Sequence, residues 1–413
     1  MKHFLFLMDE LPPTQSANGI CVDKVINELI LKGYRISCVC WGEQKKKGVE
    51  VYKIKRKPFD RAVLSITKKN NIFFKFLLLI LRICNRLYHT LSLPWWPAKS
   101  FITAKNFYKK ASAIIESEGV TDIISVSYPG ETLIAMKKIK RKYKNRVRTF
   151  MYPLDVTLFG VNYGTRIERR ISRFFNKRFM ISCAKFADKI LVLENAQEHF
   201  EKVIGNSFES KFIIVGIPLF IPKYNKEAKK NSEKRDIHIA FTGNLIKSVR
   251  DPSAIFELLD LLARRGKYDI YFDFYGKYDN QTGQLIKEKQ YKFIFVDHGW
   301  VTESEIEIAL STADILVNIG NNSPLIPSKL FLYLSYGKAI IHQCIIERDA
   351  CLYYLKQYQN VYIFRVDDII TDDTISNLED FILQFGFQKI DVGGMFERCT
   401  PKFTAQLLEK NDE

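Results

Sequence analysis

Residues 326–340 read IPSKLFLYLSYGKAI, a short apolar segment that opens on proline and serine and reaches glycine before a second apolar run. Pro327 and Ser328 are typical of a helix start, and Gly337 is typical of a helix end. The pattern predicts a short helix that begins at Ser328 and leads into a buried strand. Its first turn carries Lys329, so the stretch also predicts an anion site at a helix N-terminus. An ordinary connecting helix is the alternative.

The same order of elements extends outward from this stretch in both directions. Strand-like apolar runs alternate with amphipathic helix-like runs, which is typical of β-α-β units around a mostly parallel sheet. The predicted strands of the second half are His238–Phe241, Ile270–Tyr275, Ile294–Val296, Ile315–Val317, Ala339–Ile341 and Val361–Phe364. Those of the first half are Phe4–Met8, Arg35–Cys40, Asp122–Val126, Thr149–Tyr152 and Ile190–Leu193.

A polar, lysine-rich stretch without periodicity separates the two series and marks a linker. We therefore expect a first Rossmann-like domain over residues 1–218, a linker over 219–236 and a second Rossmann-like domain over 237–390. Residues 391–413 are expected to form a helical tail that packs back toward the first domain. The chain has 413 residues and 47% hydrophobic content, enough for two domains with separate cores.

The cysteines and the N-terminus indicate a cytoplasmic protein. The 8 cysteines are scattered and lack paired Cys-x-x-Cys spacing, which favours reduced thiols over disulfides or a metal site. No metal site is predicted. The first apolar run ends at the acidic pair Asp9-Glu10, too early for a signal-peptide core, and is better interpreted as a strand.

The net charge of +17 is concentrated in one segment. Residues 44–110 contain 17 Lys or Arg and two acids, 17 − 2 = +15. Inside this segment, residues 73–83 are apolar but too short to span a bilayer, and Trp95-Trp96 follow them. The combination predicts an interfacial helix on an anionic membrane, with a buried helix of the first domain as the alternative. Nucleic acid is disfavoured because no basic recognition motif is present.

Two glycine-containing stretches follow predicted first strands, where open α/β sheets bind ligands. In the first domain, Gly19 precedes a helix and could let a phosphate approach, although a simple helix cap at Asn18 explains it equally well. In the second domain, Gly243 is followed by Lys247 and Arg250, which could face one anion. Two cations beside a glycine turn suit a diphosphate leaving group; a solvated basic loop is the alternative.

These stretches resemble the donor half of GT-B glycosyltransferases, in particular the family-4-like group that builds bacterial surface polysaccharides. The resemblance rests on Thr242-Gly243-Asn244-Leu245 and on the Pro-Ser-Lys-Leu-Phe-x-Tyr…Gly-Lys helix at 327–338. Gly299-Trp300-Val301 and Val215-Gly216-Ile217-Pro218 also agree with it. It is dense over residues 236–345 and loose over the first half. It implies a GT-B fold, with two Rossmann-like domains facing each other across a cleft.

The resemblance also implies roles for residues at its matching positions. The residues that would hold the donor diphosphate are Gly243, Asn244, Lys247 or Arg250, Ser328 and Lys329. The nucleobase would be bordered by Gly276, Trp300 and Val301. Gly19 would close over the phosphates from the other domain. One position departs from the family, because the glutamate that usually holds the ribose hydroxyls corresponds to Leu332, and its partner acid to Pro324. Ribose recognition would then shift to a neighbour such as Ser328 or Asn322.

A catalytic carboxylate is harder to place from the sequence. Asp155 follows a predicted strand of the first domain, where it could act as a base toward an acceptor. Glu131 follows another such strand, and each is alternatively a helix cap or a surface acid. His298 could donate to a phosphate or serve structure alone. The resemblance implies that no metal or other cofactor is needed.

The sequence therefore predicts a hexosyltransferase-type enzyme. It would move a sugar from a nucleotide diphosphate sugar to a lipid-linked glycan acceptor at a membrane surface, in the assembly of capsule, exopolysaccharide or related polymers. The protein would be peripheral at the inner face of the cell membrane. Leu332 motivates the alternative of a noncatalytic GT-B scaffold. A dinucleotide-dependent epimerase is disfavoured, because no G-x-G-x-x-G follows the first strand.

Overall fold

The computed structural model describes residues 2–13, 16–42, 45–55, 77–81, 83–84, 87, 100–127, 129–154, 166–223, 235–321 and 326–410. The chain divides into two compact units. The first contains Met1–Pro218 together with Arg398–Glu413, and the second contains Leu219–Glu397.

The first unit is built on a sheet of seven strands in the described part of the chain, in the order β3-β2-β1-β4-β5-β6-β7. All of its strand pairs are parallel. Its elements are β1 (His3–Leu7), α1 (Ala17–Leu31), β2 (Arg35–Cys40), β3 (Val49–Lys53), α2 (Phe101–Glu118), β4 (Asp122–Val126), α3 (Glu131–Tyr143), β5 (Arg148–Tyr152), α4 (Arg166–Ala184), β6 (Lys189–Leu193), α5 (Gln197–Ile204) and β7 (Phe212–Val215).

The second unit repeats the architecture with six described strands in the order β10-β9-β8-β11-β12-β13. These strands also pair in parallel. The elements are β8 (Asp236–Leu245), α6 (Ser253–Arg264), β9 (Asp269–Tyr278), α7 (Asn280–Glu288), β10 (Ile294–Gly299), α8 (Glu303–Thr312), β11 (Ile315–Ile319), α9 (Lys329–Leu334), β12 (Ala339–Cys344), α10 (Leu352–Leu355), β13 (Val361–Arg365) and α11 (Asp372–Phe385).

The strand order of each unit reverses beside its first strand. In the second unit, β8 lies between β9 and β11, so the chain runs outward from β8 in one direction and then in the other. Parallel strands that diverge in this way leave a crevice at their carboxyl ends, where such folds bind ligands. The residues that follow β8 and β11 are therefore placed at the ligand-binding edge of this sheet.

The last helix of the chain belongs to the first unit. This helix, α12 (Pro401–Glu409), begins at the cap Thr400, whose side chain accepts a hydrogen bond from the N–H of Phe403. At its other end, Lys32 Nζ lies 2.5 Å from Glu409 Oε1, and the Arg148 side chain donates to the carbonyl oxygen of Leu408 at 2.8 Å. The C-terminal residues thus complete the first unit.

The predicted α/β class and its two parallel sheets are confirmed. The sequence pattern missed β3 and β7, the two edge strands of the first sheet. Their residues are largely half-buried or exposed, and the apolar run of β7 is only four residues long. Most of the basic segment, including residues 56–76 and Trp95-Trp96, lies outside the described residues. Within the described ranges, no helix combines the length and apolar character needed to cross a bilayer.

Candidate active site

Gly243 and Gly276 face each other across the first two strands of the second sheet. β8 and β9 stay in register along their whole length, and Gly243 pairs with Gly276. A Cβ at Gly276 would lie 1.9 Å from the carbonyl oxygen of Gly243. The sequence pattern ended these strands at Phe241 and Tyr275 and placed both glycines in loops. That boundary is wrong, because the two strands extend together through the glycine pair.

The side chain of Lys329 lies directly on this glycine pair. A Cβ at Gly243 would be 2.4 Å from Lys329 Nζ, so any larger residue would force the ammonium group to move. Gly243 also has φ +128°, a backbone conformation that favours glycine. Lys329 Nζ has no hydrogen-bond or ion-pair partner among the residues that the structure describes. The ammonium group is held against the backbone at the carboxyl end of β8.

Arg250 supplies a second cation at this edge. Its Nε donates to Asn321 Oδ1 at 2.7 Å, which links the chain after β8 to the residues after β11 across the strand-order reversal. Burial lowers the pKa of the Arg250 guanidinium. Burial, followed by repulsion from Arg250, lowers the pKa of Lys329 to about 8. Two partly desolvated cations close to each other favour a bound anion.

Tyr333 fixes the helix that carries Lys329. The Thr242 N–H donates to the Tyr333 hydroxyl at 2.8 Å, and the Thr242 and Tyr333 hydroxyls lie 3.0 Å apart. Lys329 and Tyr333 are four residues apart, so they lie on one face of α9. The Tyr333 hydroxyl is fully buried and ties this face to β8 next to Gly243. Sequence reasoning missed Tyr333, although its place four residues after Lys329 was a usable signal.

Gln343 holds the loop that carries Arg250. Its Nε2 donates to the carbonyl oxygen of Asp251 at 2.6 Å, and its Oε1 accepts from the N–H of Ile255 at 2.8 Å. The side chain is fully buried at the end of β12. One amide therefore satisfies a donor and an acceptor at the start of α6. No local pattern marked Gln343, because its partners lie about ninety positions earlier in the chain.

The other predicted donor residues surround this edge without joining the contact between Gly243 and Lys329. Asn244 is exposed, Lys247 is half-buried, and the Lys247 N–H donates to Asp279 Oδ2 at 3.1 Å. Ser328 precedes the six-residue helix α9, and its hydroxyl makes no capping hydrogen bond. The predicted helix start at Ser328 is thus displaced by one residue. Because α9 is so short, the anion site rests on the Lys329 side chain.

Leu332 is half-buried within α9. Its side chain cannot accept the hydrogen bonds that the corresponding family glutamate would accept. Asn322 and Pro324, the other positions considered for the ribose, lie outside the described residues. Ser328 is the described alternative that carries a hydroxyl.

The residues predicted to border the nucleobase lie where β9 and β10 end. Trp300 follows Gly299 and is 66% exposed, and Lys277 Nζ lies 5.4 Å from its ring centroid. Val301 is half-buried beside it. An exposed indole next to a cation offers a flat surface on which an aromatic base can stack. Gly276 is close to this surface along β9, but its own contacts are those of the glycine pair.

His298 is held by contacts with neighbouring residues of the second sheet. Its Nε2 lies 2.9 Å from Asp273 Oδ1, and its ring stacks on Tyr275 with centroids 4.2 Å apart. His238 Nδ1 lies 2.8 Å from the other oxygen of Asp273. The two imidazoles therefore share one carboxylate, which gives His298 a structural partner.

In the first unit, Gly19 is buried in the first turn of α1, and its N–H donates to Ser16 Oγ at 3.2 Å. Ser16 is the cap of this helix and its hydroxyl donates to Asp9 Oδ2. The alternative in which Asn18 caps the helix is wrong, because Asn18 lies inside α1. The N–H of Gly19 is thus satisfied by the cap.

Of the two predicted catalytic carboxylates, Glu131 is the first residue of α3 and is 3% exposed. This position lies at the carboxyl end of β4, where first-sheet ligands are expected. Asp155 lies outside the described residues.

Solved structures similar to this chain over nearly their whole length include glycosyltransferases. The lipopolysaccharide outer core galactosyltransferase WaaB is 13% identical, with 98% of this chain and 97% of that chain covered and a TM-score of 0.58. WaaG, a glycosyltransferase involved in lipopolysaccharide biosynthesis, is 9% identical, with coverages of 99% and 100% and a TM-score of 0.61. Anabaena HepE, solved with UDP and glucose, is 10% identical, with coverages of 99% and 94% and a TM-score of 0.54.

No protein-family model matches the sequence, and no curated protein matches it. At these low identities the structural similarity establishes the fold. The chain has the GT-B fold, as the resemblance of residues 236–345 predicted.

Proposed function

We propose that this protein is a glycosyltransferase of the hexosyltransferase type, which uses a nucleotide diphosphate sugar as donor. One observation carries the proposal: Lys329 Nζ lies against Gly243 at the ligand-binding edge of the second sheet, with the Arg250 guanidinium near enough to help lower the pKa of Lys329. A diphosphate gains negative charge as the bond to the sugar breaks. Cations already held in place stabilise that charge without reorganisation, so the leaving group departs more easily.

The base and ribose would lie beside this diphosphate. The exposed Trp300 ring, with Val301 next to it, would take the base, and the free hydroxyl of Ser328 would replace the usual glutamate at the ribose. This arrangement needs only side chains of the second unit. Glu131 and Asp155 are the proposed acid or base residues on the acceptor side, and the reaction would need no metal cofactor.

The proposed acceptor is a glycan in bacterial cell-surface polysaccharide biosynthesis, attached to a lipid. The protein would be cytoplasmic and peripheral at the inner face of the membrane. Support comes from α4, which exposes Ile167, Ile171 and Phe174 to 73%, 38% and 57%. These residues are spaced by four and three and so form one stripe. Around them, α4 carries six cations and one acid, Arg166, Arg169, Arg170, Arg173, Lys177, Arg178 and Glu168.

Apolar residues flanked by arginines suit the surface of an anionic bilayer, where the apolar stripe enters the headgroup region and the guanidinium groups meet phosphates. This surface adds to the basic segment 44–110 predicted from the sequence. Together they favour an acceptor that resides at the membrane.

The test is a calorimetric titration of the purified protein with UDP, GDP, ADP, CMP and NAD. We expect one nucleoside diphosphate to bind and the corresponding nucleotide sugar to be hydrolysed or transferred. Binding of NAD alone would contradict the proposal and favour a dinucleotide enzyme.

Leu332 favours the second candidate, a noncatalytic GT-B scaffold. That candidate predicts no turnover of any nucleotide sugar, even where a nucleotide binds. The two candidate functions are therefore distinguished on the same preparation, by measuring sugar release from the nucleotide sugar whose nucleotide binds.

A further inference from the structure

A second buried polar cluster lies at the end of β12, outside the diphosphate site. His342 and Cys344 are two residues apart on this strand, so their side chains leave the same face of the sheet. Asp349 approaches them from the connection between β12 and α10. The three residues are 0%, 3% and 7% exposed. Three polar or ionisable side chains so deeply buried need partners that compensate for lost hydration.

The ligand atoms of these residues are arranged as if around a common centre. His342 Nε2 lies 3.3 Å from Asp349 Oδ2, and the three ligand atoms of the cluster all lie within 4.8 Å of one another. Bonds of about 2.0–2.3 Å from a tetrahedral zinc ion to N, O and S place its ligand atoms about 3.3–3.8 Å apart. The cluster needs only a small contraction to reach that geometry.

The atoms that face the centre have only each other as a polar neighbour. In the described part of the chain, His342 Nε2 and Asp349 Oδ2 form an ion-pair contact at 3.3 Å, and neither has any other hydrogen-bond partner. Buried polar atoms usually have their hydrogen-bonding capacity filled, so a further partner such as an ion would fit between them. Two such atoms converge on one point here, together with the Cys344 thiol.

The atoms that face away from the centre are held. His342 Nδ1 lies 3.1 Å from the carbonyl oxygen of Asn318 and 2.9 Å from the Asn318 side-chain nitrogen; the tautomer that donates to the carbonyl oxygen leaves the Nε2 lone pair for a metal. Asp349 Oδ1 accepts from the N–H of Cys351 at 2.8 Å, which leaves Oδ2 for the same metal. Such outer contacts orient the ligands in known metal sites. The close approach of Oδ2 also requires Gly320, where a Cβ would lie 2.3 Å away.

We propose that His342, Cys344 and Asp349 bind one zinc ion. A thiolate and a carboxylate cancel the two positive charges, so the buried site becomes neutral. Imidazole, thiolate and carboxylate together suit zinc better than magnesium or calcium. Three protein ligands leave the fourth tetrahedral position for a water molecule. The ion would join the connection after β12 to the end of β12 itself, and would be acquired as the unit folds.

The test measures metal in the full chain purified from cells grown with added zinc. Plasma mass spectrometry should find about one zinc per chain in the wild type, and less than about a tenth of that in C344S and D349N, which keep the side-chain size. The matched control is C351S, a change at a buried cysteine that is outside the ligand set; it should retain the zinc.

Cobalt gives a second, independent readout. Protein refolded with Co²⁺ should show the near-ultraviolet absorption of a cobalt–thiolate bond, lost in C344S and kept in C351S. Absence of both zinc and this band in folded wild type would overturn the proposal and leave His342 and Asp349 as an ion pair. A band that persists in C344S would assign the metal to another cysteine and would overturn it equally.

Discussion

Lys329 Nζ and Gly243 are in contact at the carboxyl end of β8, so close that a methyl group on residue 243 would lie 2.4 Å from the ammonium nitrogen. The two residues are far apart in sequence and neither would define a site alone. Their contact turns a glycine-containing strand end and a short helix into one cation-bearing surface. The donor site proposed for this protein rests on that contact.

The first prediction concerns Lys329 itself. K329A should weaken binding of the preferred nucleoside diphosphate by about 1.5–3 kcal/mol, because a hydrogen bond to a charged phosphate is lost. The measurement is the dissociation constant by calorimetry. K289A, a change at an exposed lysine at the end of α7, is the matched control and should bind as the wild type does. Equal affinities for K329A and the wild type would remove Lys329 from the site.

The second prediction is a pH dependence. The pKa of Lys329 in the free protein is about 8. Since only the protonated form attracts a diphosphate, and the bound phosphate raises the pKa of the lysine, affinity should fall as pH rises through 8. The expected loss is about fivefold between about pH 8 and pH 9. In K329R the cation stays charged over this range, so the fall should disappear; an identical fall in K329R would assign the titration elsewhere.

The third prediction tests the glycine pair through stability. G276A places a methyl group 1.9 Å from the Gly243 carbonyl oxygen and should lower the free energy of unfolding by about 3 kcal/mol or more. Gly266 provides the control, because its φ is +71° and a Cβ there meets nothing within 4 Å. G266A should lose only about 1–2 kcal/mol from backbone strain. Urea unfolding of both variants measures the difference, and equal losses would contradict the close strand contact.

The fourth prediction tests the anchor of α9. Y333F leaves the buried N–H of Thr242 without its acceptor, which should destabilise the protein by about 1–3 kcal/mol. Nucleotide binding should weaken as well, because α9 carries Lys329. Y271F, at a half-buried tyrosine that stacks on His238, should change stability by less than about 0.5 kcal/mol. Unchanged thermal unfolding of Y333F would show that the anchor is dispensable.

The fifth prediction tests the exposed stripe of α4. The double variant I167S/F174S should bind anionic vesicles at least about tenfold more weakly, since each serine removes an apolar group from the headgroup region. Sedimentation with phosphatidylglycerol vesicles measures it, and phosphatidylcholine vesicles show the contribution of charge. I369S/L383S removes two exposed apolar side chains from the second unit and is the control. Equal losses in both variants would argue against docking through α4.

Much of the fold was predictable from the sequence, because alternation and helical periodicity are local properties. All eleven predicted strands correspond to strands of the structure, and the parallel arrangement follows from the helices between them. The edge strand β3 was missed because it is only five residues long and none of them is buried, so its apolar signal is weak. The ends of β8 and β9 were predicted too early for a different reason. A glycine in a sequence indicates a loop unless its partner on the neighbouring strand is known.

By itself the sequence determined the order of strands and helices, the two-domain GT-B expectation and the residue types at the proposed donor site. Only the tertiary structure decided which of those residues meet: Lys329 with Gly243, Arg250 with Asn321, and His342 with Asp349. The physical reason is the range of the forces involved. Periodicity reports how a segment divides between core and solvent, whereas the lowered pKa of Lys329 arises from burial against residues distant in the chain, and the ligand set converges only because the connection after β12 folds back onto that strand.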